Sequence, residues 1–247
     1  MSKFNIFRFI IELRITNKKM RILFVTDSLG APRPAVPWEF TYPGILQSKF
    51  CDRPEVFFCY ETRRGSTTCC LSNPDLLVSY TPDIAIVQLG IVDCVPRIFT
   101  QLENVILSRL PGLIRNILIW LGTRFRRRSA KRAYVKPDAC IRNWQDFLNK
   151  TGEINCRVVI IPVALPGKVF SEHNPEAEKS IRIYNESVEK LAENFSHVYI
   201  LPNWDKDTKV YDDLFLPDDG YHFSKYGHEK IAEFLFPFLE EKFLKKD

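Results

Sequence analysis

Five short runs rich in Val, Ile and Phe constrain this chain most: residues 21–26 (RILFVT), 56–60 (VFFCY), 84–88 (IAIVQ), 157–162 (RVVIIP) and 197–201 (HVYIL). Each is too short for a helix and too continuously apolar for a strand with one wet face. Buried parallel strands read this way. Ile181, Tyr184, Val188 and Leu191 recur at helical spacing within residues 175–195. Residues 137–150 put Pro137 in a first turn and Ile141, Trp144 and Leu148 on one face, which predicts a second helix. In the tail, Ser224 suits an N-cap ahead of Ile231, Phe234, Leu235 and Phe238. Strands alternating with helices predict an α/β fold, with right-handed crossovers around a five-stranded parallel sheet and helices on both faces. The 247 residues fit one such domain over 21–247, after an N-terminal extension over 1–20. Neither an internal repeat nor a low-complexity linker interrupts it.

Charge is unevenly spread. The formal net charge is +5, but residues 97–136 hold ten basic side chains and one acid, Glu103. That segment carries +9 and leaves the rest of the chain at −4. A slightly acidic body with one basic insertion is no uniformly basic nucleic-acid binder, and no recognition motif supports such a partner. Two readings fit the insertion. It is a solvated helix over 106–121 with a basic end at Arg124, Arg126, Arg127, Arg128, Lys131 and Arg132. Alternatively it is a lid or anchor that meets anionic lipid or an acidic saccharide.

The N-terminus mixes Arg8, Glu12 and Arg14 into its apolar residues, unlike a secretory signal. The apolar patch at 117–122 falls far short of the ~20 residues that span a bilayer. The seven cysteines form no CxxC pair, so free thiols in a cytoplasmic protein without metal or cofactor are expected.

Function in such sheets gathers at the carboxyl ends of the strands, near the point where strand order reverses. Polar or Gly-containing segments follow four strands: Asp27-Ser28-Leu29-Gly30, the run from Thr62 to Thr68, Leu89-Gly90-Ile91-Val92-Asp93, and the run from Pro217 to Phe223. A hydroxyl attacks a carbonyl when a base takes its proton and donors hold the developing oxyanion. Ser28, at the handover from a strand to a helix, is the candidate nucleophile. Asp219 and His222, three residues apart, can set a carboxylate against an imidazole and leave the other ring nitrogen for Ser28.

Together these residues resemble the SGNH/GDSL hydrolase family. Val25-Thr26-Asp27-Ser28-Leu29 matches its strand-end "DS" block. Asp219-Gly220-Tyr221-His222, running on through FSKYGHEKIA, matches its DxxH block before the last helix. Gly65, in RRGSTT, is the match for the Gly whose backbone N–H serves the oxyanion hole. The third block is Gly-x-Asn-Asp in the family and Gly90-Ile91-Val92-Asp93 here, so Val92 stands where an oxyanion-binding Asn belongs, and valine donates no hydrogen bond.

The resemblance covers roughly residues 21–238 and implies a flavodoxin-like sheet and a serine esterase or O-acyltransferase. Ser28, His222 and Asp219 would do the chemistry, with Gly65, Gly90 and Arg97 around the acyl oxygen or an anionic substrate group. The expected substrate is a small-molecule or saccharide acyl ester, with an O-acetylated sugar as one form. The altered third block keeps a second reading open, a catalytically impaired module that binds an anionic glycan or a membrane surface. Arg33, Trp38 and Tyr42 follow the nucleophile and either line a pocket or pack. His173 and His197 read as structural, and His228 as the rival to His222.

Overall fold

A computed structural model describes residues 19–126, 133–202 and 211–244. Most of the extension over 1–20 and four of the basic residues, Arg127, Arg128, Lys131 and Arg132, lie outside the described residues. The five apolar runs form β1 (Met20–Thr26), β2 (Val56–Thr62), β3 (Ile84–Gln88), β4 (Arg157–Ile160) and β5 (Val198–Ile200). They make one all-parallel sheet in the order β2-β1-β3-β4-β5. Central β3 is buried along its whole length, whereas β2 and β5, at the two edges, are only partly covered. Continuous apolarity therefore overstates burial at the edges, where one side of the strand has no neighbour.

Nine α-helices are described. The longer ones are α1 (Tyr42–Lys49), α4 (Gln101–Ser108), α5 (Gly112–Arg126), α6 (Pro137–Glu153), α8 (Ala177–Ala192) and α9 (Lys225–Leu239). The single-turn α2 (Asp75–Val78), α3 (Ile91–Cys94) and the short α7 (Lys168–His173) complete the set. Helix α1 packs on α9, and α6 packs on α8, which places a helical layer on each side of the sheet. Ser224 caps α9 by accepting from the Gly227 N–H at 3.2 Å. Trp144, Phe147 and Leu148 of α6 and Ile181, Tyr184 and Val188 of α8 are buried in the core.

The basic insertion differs from the single helix expected over 106–121. Helix α4 begins earlier, at a capping box formed by Thr100 and Glu103, and α5 follows after a break at Pro111. Proline has no N–H to continue a helical ladder and its ring crowds the preceding turn. The Pro111 carbonyl instead accepts from the Arg115 N–H and starts α5. None of the described helices is long and apolar enough to cross a membrane.

Candidate active site

The strand order reverses between β1 and β3, and the loops leaving their carboxyl ends open the crevice where ligands bind in such sheets. Ser28 lies in a tight turn directly after β1. The expected helix does not begin there, since α1 starts only at Tyr42. No helix N-terminus therefore aids Ser28, and its turn is held instead by Asp27, whose Oδ1 accepts from the Leu29 N–H at 2.8 Å. From the far end of the chain, the segment before α9 returns to this point. His222 Nε2 lies 3.0 Å from Ser28 Oγ, and His222 Nδ1 lies 2.7 Å from Asp219 Oδ2.

Asp219 is fixed by its own turn. Its Oδ1 accepts from the backbone N–H groups of Tyr221 and His222, and Gly220, directly after Asp219, takes φ +70°. A carboxylate only accepts hydrogen bonds, so it assigns the Nδ1 proton to His222 and leaves the Nε2 lone pair facing the serine hydroxyl. Burial works against the Asp219 charge, but the two N–H groups and the imidazole outweigh it and hold the carboxyl below its ordinary range. Burial, joined by the fields of Arg33 and Arg97, pushes His222 down to about 4 against the pull of Asp219. Complete burial raises the Asp27 carboxyl to about 7, partly offset by the Leu29 N–H and the same two arginines.

The other candidates fall around this relay. Gly65 sits in an exposed turn at φ +74°. That turn is docked beside the Ser28 loop: the Arg63 N–H donates to the Thr26 carbonyl at 3.0 Å, and Arg64 donates to the Pro32 carbonyl at 2.7 Å. Neither Ser28 nor Gly65 spends its N–H on an acceptor among the described residues. Gly90 takes φ +132° and lies against the ring of Tyr184, which donates to the Leu89 carbonyl and accepts from the Trp144 indole. Val92 is buried in the core beside it. Asp93 accepts from the Thr68 N–H and hydroxyl, the latter at 2.6 Å, and so ties the loop after β3 to the loop after β2. Burial pushes this carboxyl up to about 6.

Arg97 stacks over Tyr134 at 5.6 Å, and its Nε, like that of Arg33, is buried with no hydrogen-bond partner. His228 does not rival His222. It is buried, its Nδ1 accepts from the Tyr42 N–H at 3.2 Å, and burial pushes it down to about 3. His173 bonds to the Val169 carbonyl, and His197 bonds to Thr151 and to the Leu148 carbonyl. Trp38 packs edge-on against Tyr60, and Tyr42 is buried between Phe24 and His228. The seven cysteines are free thiols. Sequence reading missed the part that Arg33 shares with Arg97 in setting the field at His222, because the two arginines lie 64 positions apart in the chain.

Solved structures share this architecture over nearly the whole chain. The lipase/acylhydrolase from Enterococcus faecalis superposes with a TM-score of 0.62 at 15% identity, covering 92% of this chain and 100% of its own. The chain has the SGNH hydrolase fold. Further SGNH-fold neighbours are the psychrotrophic esterase EstA from Pseudoalteromonas sp. (TM-score 0.57, 16% identity, 90% and 97% covered) and the acetylxylan esterase Axe2 from Geobacillus stearothermophilus (0.59, 16%, 92% and 95%). Comparison by sequence finds no matching family description and no matching curated protein.

Proposed function

We propose that this SGNH-fold protein is a serine ester hydrolase that works through an acyl-enzyme. The observation that carries the reading is the Ser28–His222–Asp219 relay, with contacts of 3.0 and 2.7 Å, at the strand-order reversal of the sheet. A protein that only binds has no physical need of a serine aimed at an oriented imidazole. His222 takes the Ser28 proton as the oxygen attacks the ester carbonyl, and Asp219 stabilises the imidazolium that forms. The Ser28 and Gly65 N–H groups supply the oxyanion donors. His222 then returns the proton to the departing alcohol. Water, or a sugar hydroxyl in an acyltransferase, resolves the acyl-enzyme by the reverse sequence.

The substrate we favour is an acetyl or other short acyl ester on a saccharide. Its support is the acetylxylan esterase among the structural neighbours and the polar, arginine-bearing mouth. Arg97 and Arg33, each with a buried Nε that lacks a partner, would hold the acyl oxygen or an anionic group of the substrate. A serine-reactive fluorophosphonate tests the main reading. The wild type should label, and Ser28→Ala and His222→Ala should not; absence of label from every form would sink it.

Val92 favours the second reading, an impaired module that binds an anionic glycan, because no donor side chain stands at that position. Loss of one oxyanion donor costs roughly 10²–10³-fold in kcat. Val92→Asn is therefore expected to raise kcat by up to roughly 10²-fold with KM little changed. An unchanged kcat in steady-state assays would show that another group already fills the hole.

The pH profile gives a separate check. Neutral His222 is the working base, so activity is lost as pH falls through its pKa. The acid limb of kcat/KM should lie at about 4, well below the ordinary histidine value of about 6.5. A limb near that ordinary value would mean that His222 is solvated as the substrate approaches.

A further inference from the structure

Among the described residues, the α4–α5 hairpin holds most of the exposed large hydrophobic side chains. Sixteen large hydrophobic side chains are exposed among the described residues, and eleven of them lie between Leu102 and Phe125. Leu113 is 77% exposed, Trp120 60% and Phe125 72%. Single exposed hydrophobics need no explanation, but a contiguous patch marks a surface that meets something. Within α5, Leu113, Ile114, Ile117, Leu118, Leu121 and Phe125 recur at three- and four-residue spacing and form one stripe. Part of the stripe lines a groove of about 370 Å³ against α4, with Ile106, Leu107 and Leu110 opposite. Leu113, Ile117 and Trp120 extend it outward. Among the elements of the fold, each of the two helices has its main contact with the other.

Charge identifies what this face fits. Arg109, Arg115 and Arg124 are exposed on the same hairpin. The one acid of the segment, Glu103, is turned back to the Thr100 N–H at 2.8 Å, where it caps α4. A second copy of the chain would set this arginine-bearing patch against the same patch across a two-fold axis, with no exposed acid of the segment to pair it, which disfavours self-pairing. Anionic lipid meets both demands at once, with phosphates for guanidinium groups and an acyl boundary for the apolar stripe. Fifteen residues give α5 a length of roughly 22 Å. With Arg115 and Arg124 inside that length, the helix suits lying in the interfacial plane, and long side chains there reach back to the headgroups.

We propose that the α4–α5 hairpin seats this domain on the surface of anionic bilayers, with Leu113, Ile117 and Trp120 entering the acyl boundary and Arg109, Arg115 and Arg124 meeting the headgroup phosphates. The proposal stands independently of the hydrolytic reading. Its test uses the full chain with vesicles of phosphatidylcholine alone or mixed with phosphatidylglycerol. The wild type should sediment with the mixed vesicles only and be released by high salt, and its tryptophan emission should shift to the blue, a shift absent from Trp120→Phe. Ile117→Asp with Trp120→Asp should abolish sedimentation while circular dichroism and hydrolysis of a soluble ester are kept. Arg109→Gln, Arg115→Gln and Arg124→Gln together should weaken association by roughly 10²-fold, since each cation near an anionic surface contributes about fivefold. No sedimentation, or equal sedimentation with both vesicle types, overturns the proposal. A wild-type dimer that Trp120→Asp converts to a monomer, without vesicle binding by either form, also overturns it and assigns the face to a second copy.

Discussion

Ser28→Ala is expected to reduce ester turnover by about 10⁴–10⁶-fold, and His222→Ala by a similar factor. The double variant should be no slower than the worse single one, because in the proposed mechanism the two side chains perform one step: without the base the hydroxyl is no better than water, and without the hydroxyl the base has nothing to deprotonate. Multiplicative losses would mean that the two residues act separately. Asp219→Asn probes the orientation of the ring. At present Asp219 Oδ1 accepts from two backbone N–H groups and Oδ2 accepts from His222 Nδ1. An asparagine that keeps its oxygen on the backbone side turns its NH₂ group toward Nδ1. The imidazole must then carry its proton on Nε2, and it can no longer accept from Ser28. Turnover should fall by roughly 10⁴-fold although the side chain is isosteric. Hydrolysis of p-nitrophenyl acetate by each variant, with thermal melts to show that the fold is kept, measures all of these.

What could be read from the residues alone followed from how local the physics is. The strands were legible because burial on both faces leaves an uninterrupted apolar run, as at Ile84, Ala85, Ile86 and Val87. The α9 cap was legible because it needs only the Ser224 hydroxyl and the Gly227 N–H three residues on. Asp219 and His222 were legible for the same reason, since one turn joins them. The break between α4 and α5 was marked by Pro111, but the apolar periodicity on either side of it outweighed that single residue. Long-range packing left no trace in the pattern. Nothing local in Gly90 says that Tyr184 will lie against it, and nothing in Asp93 says that Thr68, 25 positions earlier, will be its partner. The helix expected beside Ser28 failed because Pro32, Pro34 and Pro37 keep the chain extended or turning until Tyr42.

Gly90→Ala carries the largest expected effect on stability, and two separate penalties produce it. At φ +132° an L-residue is held outside its allowed regions, at about 1–3 kcal/mol. The added methyl also lands on the ring of Tyr184. That ring cannot swing aside, because it is buried and its hydroxyl is held at 2.8 Å by the Leu89 carbonyl and at 2.9 Å by the Trp144 indole. Overpacking of this kind costs about 1–3 kcal/mol. Together they approach roughly 2–6 kcal/mol, a large share of the ~5–15 kcal/mol that holds a domain together. The midpoint of thermal unfolding should therefore drop by roughly 5–20 °C. Gly65→Ala supplies the contrast. It also has a positive φ, but its methyl would meet nothing within 4 Å, so only the backbone cost of about 1–2 kcal/mol remains. Tyr184→Leu, destabilising by itself through the lost hydrogen bonds, should add less in the Gly90→Ala background than in the wild type, because the shorter side chain removes the clash. Simple additivity in that cycle would place the whole cost in the backbone and leave Tyr184 as no more than a neighbour of the turn that leads into α3.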